Sequence, residues 1–178
     1  FNPSIFINIA ILLFSLLVHE ISHGVMAYIC GDNTAKNYGR LSLNPLHHLD
    51  PLGTIFPILL ILSGSSFVFG WAKPVPINYY RLKYGRLGEF LVAIAGVLSN
   101  ILLAIIGMFL FKHFYEVLAP LHLLEPVLYM ISLNILLAVF NIMPIPPLDG
   151  SRVLASIGSY DLRDSIFHIC LLYTSPSP

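Results

Sequence analysis

Two histidines and a glutamate lie within five residues of one another in the stretch LLVHEISHGVMAY, which begins at residue 16. Residues four apart lie on the same face of an α-helix, so His19 and His23 can direct both imidazole rings at one metal ion. Zinc in a catalytic site takes three protein ligands and lowers the pKa of a bound water to about 7. Glu20 lies beside the histidines and could accept the proton of that water and pass it to a leaving amine. The spacing therefore predicts a zinc hydrolase.

A third ligand must come from another part of the chain. The other carboxylates and imidazoles include Asp32, Asp50, Glu89, Glu116, Glu125, Asp149, Asp161, Asp164, His47, His48, His113, His122 and His168. Asp149 is favoured because three prolines in the preceding PIPPLDG run fix the backbone and Gly150 allows another element to approach closely. The alternative role for Asp149 is that of a helix N-cap.

The composition predicts an integral membrane protein. Hydrophobic residues make up 57% of the chain, charged residues 10%, and the mean hydropathy is +0.82. A soluble globular domain has roughly 45–50% apolar residues. The net charge is zero and the chain has no basic or acidic block, so nucleic-acid binding has no support. Cys30 and Cys170 have no partner motif, which excludes a cysteine-ligated metal site.

The predicted fold class is an all-α membrane protein, a polytopic helical bundle with three core spanning helices. The three apolar segments cover about residues 4–30, 86–111 and 123–143. Each is long enough to cross a hydrocarbon core of about 30 Å. Gly31 and the two polar residues after it predict the end of the first helix. A further short helix is expected after the proline-rich loop, with Asp149 or Ser151 as its cap.

The segments between these helices are less regular. Residues 38–44 alternate between polar and apolar side chains and residues 74–78 alternate between prolines, so both are predicted to form short extended β segments. Such segments could hold an unwound substrate by backbone pairing. Residues 52–69 are apolar but contain glycine and proline, so they form either a fourth crossing or a re-entrant element.

The metal site and the charge distribution distinguish these two topologies. All ligands must lie within about 2.0–2.2 Å of one ion, hence at one membrane depth. With a re-entrant element Asp149 arrives beside His23, and the basic residues divide eight against one: Lys36, Arg40, Lys73, Arg81, Lys83, Arg86, Arg152 and Arg163 against Lys112. Four full crossings would divide them three against six and place Asp149 on the opposite side. The eight-to-one excess predicts that the site faces the cytoplasm.

Several segments resemble the site-2 protease family of intramembrane zinc metalloproteases. These are HEISH in the first helix, NIMPIPPLDG at 141–150, GRLSLNPLHHLDPLGT and GWAKPVPIN. The likeness covers about residues 10–155 and is closest to the small bacterial members without a PDZ domain. One departure is Val97 in AGVLSN, where the family usually has proline, and this bears on the bend of that helix.

The resemblance implies a set of site residues. His19, His23 and Asp149 would bind Zn²⁺, and Glu20 would be the catalytic glutamate. Asn141 would lie near the active site and orient the substrate or the developing oxyanion. The alternative role for Asn141 is a hydrogen bond in helix packing.

The function implied is that of a zinc metalloendopeptidase that hydrolyses peptide bonds in or near transmembrane segments of membrane-bound proteins, to release a regulator or clear a signal-peptide remnant. Its partners would be a transmembrane protein substrate and the lipid bilayer, and its location a multi-pass position in a bacterial inner membrane. Residues 1–170 are expected to form one protease domain, with 171–178 a truncation or junction. The alternatives are a membrane metal transporter, with ligands spread along a pathway, and an inactive zinc-binding scaffold.

Overall fold

The computed structural model describes residues 4–44 and 75–173, with side chains described for 6–44 and 75–166. The helices in chain order are α1 (Ser4–Ile29), α2 (Thr34–Asn37), a 3₁₀ helix (Tyr79–Arg81), α3 (Arg86–His113), α4 (Tyr115–Leu118), α5 (Leu124–Asn141), α6 (Asp149–Ile157) and α7 (Tyr160–Tyr173). Three of the described helices, α1, α3 and α5, are long and apolar enough to cross a membrane. The predicted all-α membrane fold and its three long helices are therefore confirmed.

The end of α1 is set by a glycine, as predicted. Gly31 has φ +102°, a left-handed conformation that favours glycine. Its N–H donates to the Tyr28 carbonyl at 3.0 Å, and the N–H of Asp32 donates to the Ala27 carbonyl at 2.9 Å. These two bonds form a Schellman motif, which satisfies carbonyls that the helix end would otherwise leave without partners. The motif turns the chain back and buries Asp32 completely.

Helix α3 lies at the centre of the bundle and packs against α1, α5 and α6. The approach of α3 to α5 is close at Gly107, where an added Cβ would lie 2.7 Å from the side chain of Ile131. Ser15 of α1 and Asn134 of α5 are both fully buried, and Asn134 Nδ2 donates to Ser15 Oγ at 2.9 Å. Small residues and interhelical hydrogen bonds are typical of helix packing in membranes, where lipid provides no hydrophobic drive between helices.

The first turns of α3 hold α6 and α7 in place. The Arg86 guanidinium donates to the carbonyl of Gly158, the residue that ends α6. Buried Glu89 forms an ion pair with Arg163 of α7, with 2.6 Å between Oε1 and Nη2. The first interaction fixes the end of α6 against α3, and the second fixes α7 beside it.

The predicted β segments are not found. Tyr38 and Gly39 form a turn after α2, and residues 40–44 follow as irregular chain with bends at Leu41 and Leu43, so no strand forms over the fully described range 38–44. The described part of the second segment, residues 75–78, is not in a sheet either. Its N–H groups at Val75 and Asn78 donate instead to the carboxylates of Glu20, within α1, and Asp32, in the turn after it. These carboxylates take the place of a neighbouring strand.

Residues 45–74 lie outside the described part of the chain. The apolar segment 52–69, predicted to be re-entrant or a fourth crossing, falls in this range. So do His47, His48 and Asp50, three of the alternative metal ligands.

Candidate metal centre

The two histidines of α1 face one another across one helical turn. His19 and His23 are 6% and 7% exposed, and their Nε2 atoms lie 3.1 Å apart. The rings meet edge to face with centroids 4.7 Å apart. The spacing of four residues therefore brings both rings to one point, as predicted.

Asp149 arrives at the same point. Its Oδ2 lies 3.1 Å from Nε2 of His19 and 3.2 Å from Nε2 of His23. Ligand atoms about 2.0–2.1 Å from a tetrahedral ion lie roughly 3.3 Å from one another, so this spacing suits zinc. Among the described residues these three side chains form the one group close enough to hold a metal ion. A topology that places Asp149 across the membrane from the histidines is incompatible with these contacts.

The start of α6 explains how Asp149 reaches α1. Leu148 is the N-cap, with an extended backbone, and Asp149 is the first residue of the helix and makes no side-chain capping bond. The prediction that Asp149 or Ser151 caps this helix is therefore wrong, and Ser151 Oγ donates instead to the Leu148 carbonyl at 2.7 Å. A Cβ at Gly150 would overlap the Ile142 carbonyl. The close approach expected at Gly150 is confirmed, and it places the start of α6 against the end of α5.

The hydrogen bonds of the imidazoles leave lone pairs at the centre of the site. His23 Nδ1 lies 2.7 Å from the Val92 carbonyl oxygen and His19 Nδ1 lies 3.2 Å from Oδ1 of Asn100. A carbonyl oxygen can only accept, so in each ring Nδ1 donates the proton and Nε2 carries a lone pair. Oδ2 of Asp149 is buried and receives no hydrogen bond. Three electron-rich atoms facing one another are the donor set that zinc requires, with the rings oriented by outer partners.

The carboxyl group of Asp149 is ionised at neutral pH. Burial alone would raise its pKa, but when protons rather than a metal ion lie on the Nε2 atoms, the His19 and His23 imidazoles donate to the carboxylate as cations and hold its pKa well below the usual range. A carboxylate binds a cation only in this ionised form.

Gly96 of α3 makes room for the ion. A Cβ at this position would lie 2.6 Å from Cε1 and 2.7 Å from Nε2 of His19, and closer still to Nε2 of His23. The absence of a side chain therefore keeps open the space between the ligand atoms. In the sequence analysis AGVLSN entered only through the family resemblance, in which Gly96 and Asn100 are kept and Val97 departs. Val97 is buried within an unbroken α3, and the contact of Gly96 with the histidines was not predicted.

Asn100 lies one turn further along α3 and was also missed. It is fully buried, and its Oδ1 accepts from Nδ1 of His19. This contact fixes the tautomer and orientation of the ring. An asparagine four residues after a glycine in an apolar helix was the signal available in the sequence, because a buried amide in lipid needs a partner.

Glu20 and Asn141 are not members of the three-residue group. Glu20 projects from α1 next to His19, and its Oε2 accepts the N–H of Val75 at 3.1 Å. Asn141 Nδ2 donates to the Leu137 carbonyl of its own helix at 2.9 Å. The catalytic role of Glu20 and the substrate-orienting role of Asn141 remain predictions.

Comparison with known proteins identifies relatives along most of the chain. Residues 116–166 match the family model described as peptidase family M50. YwhC of Bacillus subtilis strain 168 is named as a zinc metalloprotease and is 45% identical over 152 residues, which cover 82% of this chain and 66% of YwhC.

Two mycobacterial proteins, both named Rip2 and described as zinc metalloproteases, are also similar. The one from Mycolicibacterium smegmatis is 29% identical over 141 residues, which cover 78% of this chain and 52% of that protein. The one from Mycobacterium tuberculosis strain Erdman is 30% identical over 145 residues, which cover 80% of this chain and 53% of that protein. The chain thus spans 66% of the length of YwhC and little more than half of the Rip2 proteins. No solved structure matches the chain significantly.

Substitution of Gly96 by alanine tests the space between the ligand atoms. We expect Gly96→Ala to lower zinc affinity by more than about 100-fold, the upper range for losing an outer partner, because its Cβ would overlap Nε2 of both histidines and displace the rings. Zinc content of the purified protein, measured by mass spectrometry after dialysis against a metal buffer, reports the effect. Gly107→Ala on the same helix is the control for an added Cβ at a helix contact away from the histidines, since it would meet Ile131 and Met130 of α5. Equal zinc content in all three proteins would contradict this assignment.

Substitution of Asn100 tests the orientation of His19. Asn100→Leu has similar size and removes the acceptor, so we expect zinc affinity to fall by about 10–100-fold. Asn100→Asp keeps an oxygen at this position and should retain most of the affinity. Competition with a chelator of known affinity measures both values, and a leucine variant that binds zinc as tightly as wild type would exclude the role of Asn100.

Proposed function

The chain belongs to peptidase family M50, the site-2 protease family, and we propose on this basis that it is an intramembrane zinc metalloendopeptidase. Its substrates are membrane-bound proteins, which it cuts in or near a transmembrane segment. The observation that carries the proposal is the convergence of His19, His23 and Asp149 beside Glu20, in a bundle of three helices of membrane-spanning length.

Each site residue has one role in this reaction. His19, His23 and Asp149 hold the zinc ion, which when bound polarises a peptide carbonyl and makes water more acidic. Glu20 accepts a proton from the attacking water and delivers it to the nitrogen of the leaving amine as the C–N bond breaks. Asn141 lies at the end of α5, just ahead of the loop to Asp149, and orients the substrate.

The position of the site constrains the substrate. A transmembrane helix hides its peptide carbonyls in internal hydrogen bonds, so the segment to be cut must unwind before water can attack. Both the release of a membrane-tethered regulator and the clearance of a signal-peptide remnant meet this requirement. The apolar side chains exposed on α1, α3 and α5 face the lipid from which such a segment would arrive.

The proposal places the reaction in one domain, residues 1–170, with its site toward the cytoplasm of a bacterial cell. The N–H of Lys83 donates to the Cys30 carbonyl at 2.9 Å, so the chain returns to the end of the bundle that it left after α1. The described basic residues of this end are Lys36, Arg40, Arg81, Lys83, Arg86, Arg152 and Arg163, against Lys112 in the last turn of α3. This asymmetry supports the cytoplasmic orientation.

Two other functions use the same residues differently. A metal transporter would have further ligand groups along a path, whereas among the described residues the only such group is His19, His23 and Asp149. An inactive scaffold would bind zinc without needing Glu20.

Substitution of Glu20 separates these three functions. We expect Glu20→Gln to keep its zinc and to cut a single-span reporter at least 10²-fold more slowly, about the lower limit of a general-base contribution. Cleavage in proteoliposomes and zinc content are measured on the same samples, with His23→Ala as the variant that loses both. Turnover that is equal in wild type and Glu20→Gln would reject the general-base role. Transport of zinc into the vesicles without cleavage of the reporter would favour a transporter.

The orientation is tested by labelling single cysteines. In a background with Cys30 and Cys170 replaced by serine, Lys83→Cys should react with a membrane-impermeant maleimide only after the cells are opened. Lys112→Cys should react in intact cells, because it lies at the other end of α3. The reverse labelling pattern would place the metal centre on the outer side of the membrane.

A further inference from the structure

An extended segment, Val75–Asn78, lies against α1 beside the metal centre. The N–H of Val75 donates to Glu20 Oε2 at 3.1 Å, and the N–H of Asn78 donates to Asp32 Oδ2 at 2.7 Å. Val75 is 7% exposed and packs over Gly24, where an added Cβ would lie 2.9 Å from its Cγ1. The Val75–Asn78 segment is therefore held at both ends by carboxylates from α1 and the turn after it.

Val75 is the only residue of the PVP run that can make this bond. Proline has no N–H, so residues 74 and 76 cannot donate to Glu20. Pro76 also restricts Val75 to an extended backbone. The sequence thus presents one backbone donor, in a stiff context, to the carboxylate next to His19.

The other end of the segment is anchored more firmly. Asp32 is fully buried, and its Oδ1 accepts from the backbone N–H and the hydroxyl of Thr34 while Oδ2 accepts from Asn78. Just after the segment, the Tyr79 ring lies under the Arg152 guanidinium of α6, 4.7 Å from its centroid. The segment is thereby tied both to α1, which carries Glu20, and to α6, which carries Asp149.

We propose that the Val75 N–H is a positioning group for the catalytic glutamate. It fixes Oε2 of Glu20, so that Oε1 is the oxygen that takes the proton of the attacking water. A glutamate has three side-chain torsions, and a misplacement of about 1 Å at a reacting group can cost on the order of 100-fold in rate. This inference rests on the proposed function, since it concerns how Glu20 acts in that reaction.

An amide-to-ester replacement removes this donor and leaves the side chain unchanged. Valine 75 is replaced by its α-hydroxy acid through nonsense suppression in the full chain, which exchanges the N–H for an oxygen. We expect kcat to fall by about 10-fold or more while KM and zinc content stay as in wild type. The same ester at Ile77, whose N–H has no partner among the described residues, is the matched control and should leave kcat within about twofold. An unchanged or increased kcat for the ester at 75, or an equal loss at 77, would overturn the proposal.

A double-mutant cycle shows whether the effect passes through Glu20. Glu20→Asp keeps a carboxylate but is one methylene shorter, so it should no longer reach Val75. In this background the ester at 75 should cause no further loss of kcat, because residues that act through one contact are not additive. Additive losses would mean that the ester acts elsewhere, and would reject the positioning role.

A genetically simpler variant tests the anchor. Asp32→Asn replaces the oxygen that accepts from Asn78 by an amide nitrogen, so it should lower kcat and leave zinc content unchanged. Thr34→Val removes only the hydroxyl contact on the other oxygen and should keep normal kcat. Loss of zinc in Asp32→Asn, or equal kcat in the two variants, counts against the inference. If the wild-type protein cut no reporter, the proposed function itself would be rejected. That result differs from the outcomes that count against the role of Val75, so the two failures can be told apart.

Discussion

The constraint on which this structure depends is the repulsion among three electron-rich atoms. Two imidazole nitrogens and one carboxylate oxygen lie 3.1–3.2 Å apart, and both ring N–H groups point away from the centre. In a buried site of low dielectric such repulsion is strong, and a cation between the atoms converts it into attraction. A metal ion bound by these three atoms would offset their repulsion and would help to hold α1 and α6 together.

The helices bring these atoms together through close backbone contacts at glycines rather than through large side chains. Gly96 lets α3 approach the histidines without entering the space between them, and Gly150 lets α6 begin directly against the end of α5. Arg86 and Glu89 then hold the far side of α6 and its neighbour α7. Because three helices contribute ligands, space and outer hydrogen bonds at one end of the bundle, small backbone shifts in any of them would change the metal geometry.

The sequence predicted most of this site but not the parts that surround it. A four-residue histidine spacing and a proline-stiffened aspartate are local patterns, and each pointed to a member of the group that is close enough to hold a metal ion. Gly96 and Asn100 act across helices, so their roles depend on packing that periodicity does not encode. The β segments were wrong because alternation over five to seven residues does not say what will accept the backbone N–H groups. At Val75 and Asn78 the acceptors are carboxylates of Glu20 and Asp32.

That substitution of carboxylates for a neighbouring strand has a structural consequence. Backbone N–H groups away from water need acceptors within the protein. In a sheet these acceptors would be carbonyl groups of a neighbouring strand, whose position would depend on another loop. Here the acceptors belong to α1 and the turn that closes it. The extended segment therefore takes its register from the helix that also carries both histidines. Both histidines, the glutamate and the Val75–Asn78 segment thus share α1 as one rigid reference. Moving the segment relative to α1 would first have to break a hydrogen bond to a charged acceptor, which is stronger than a bond to a neutral one.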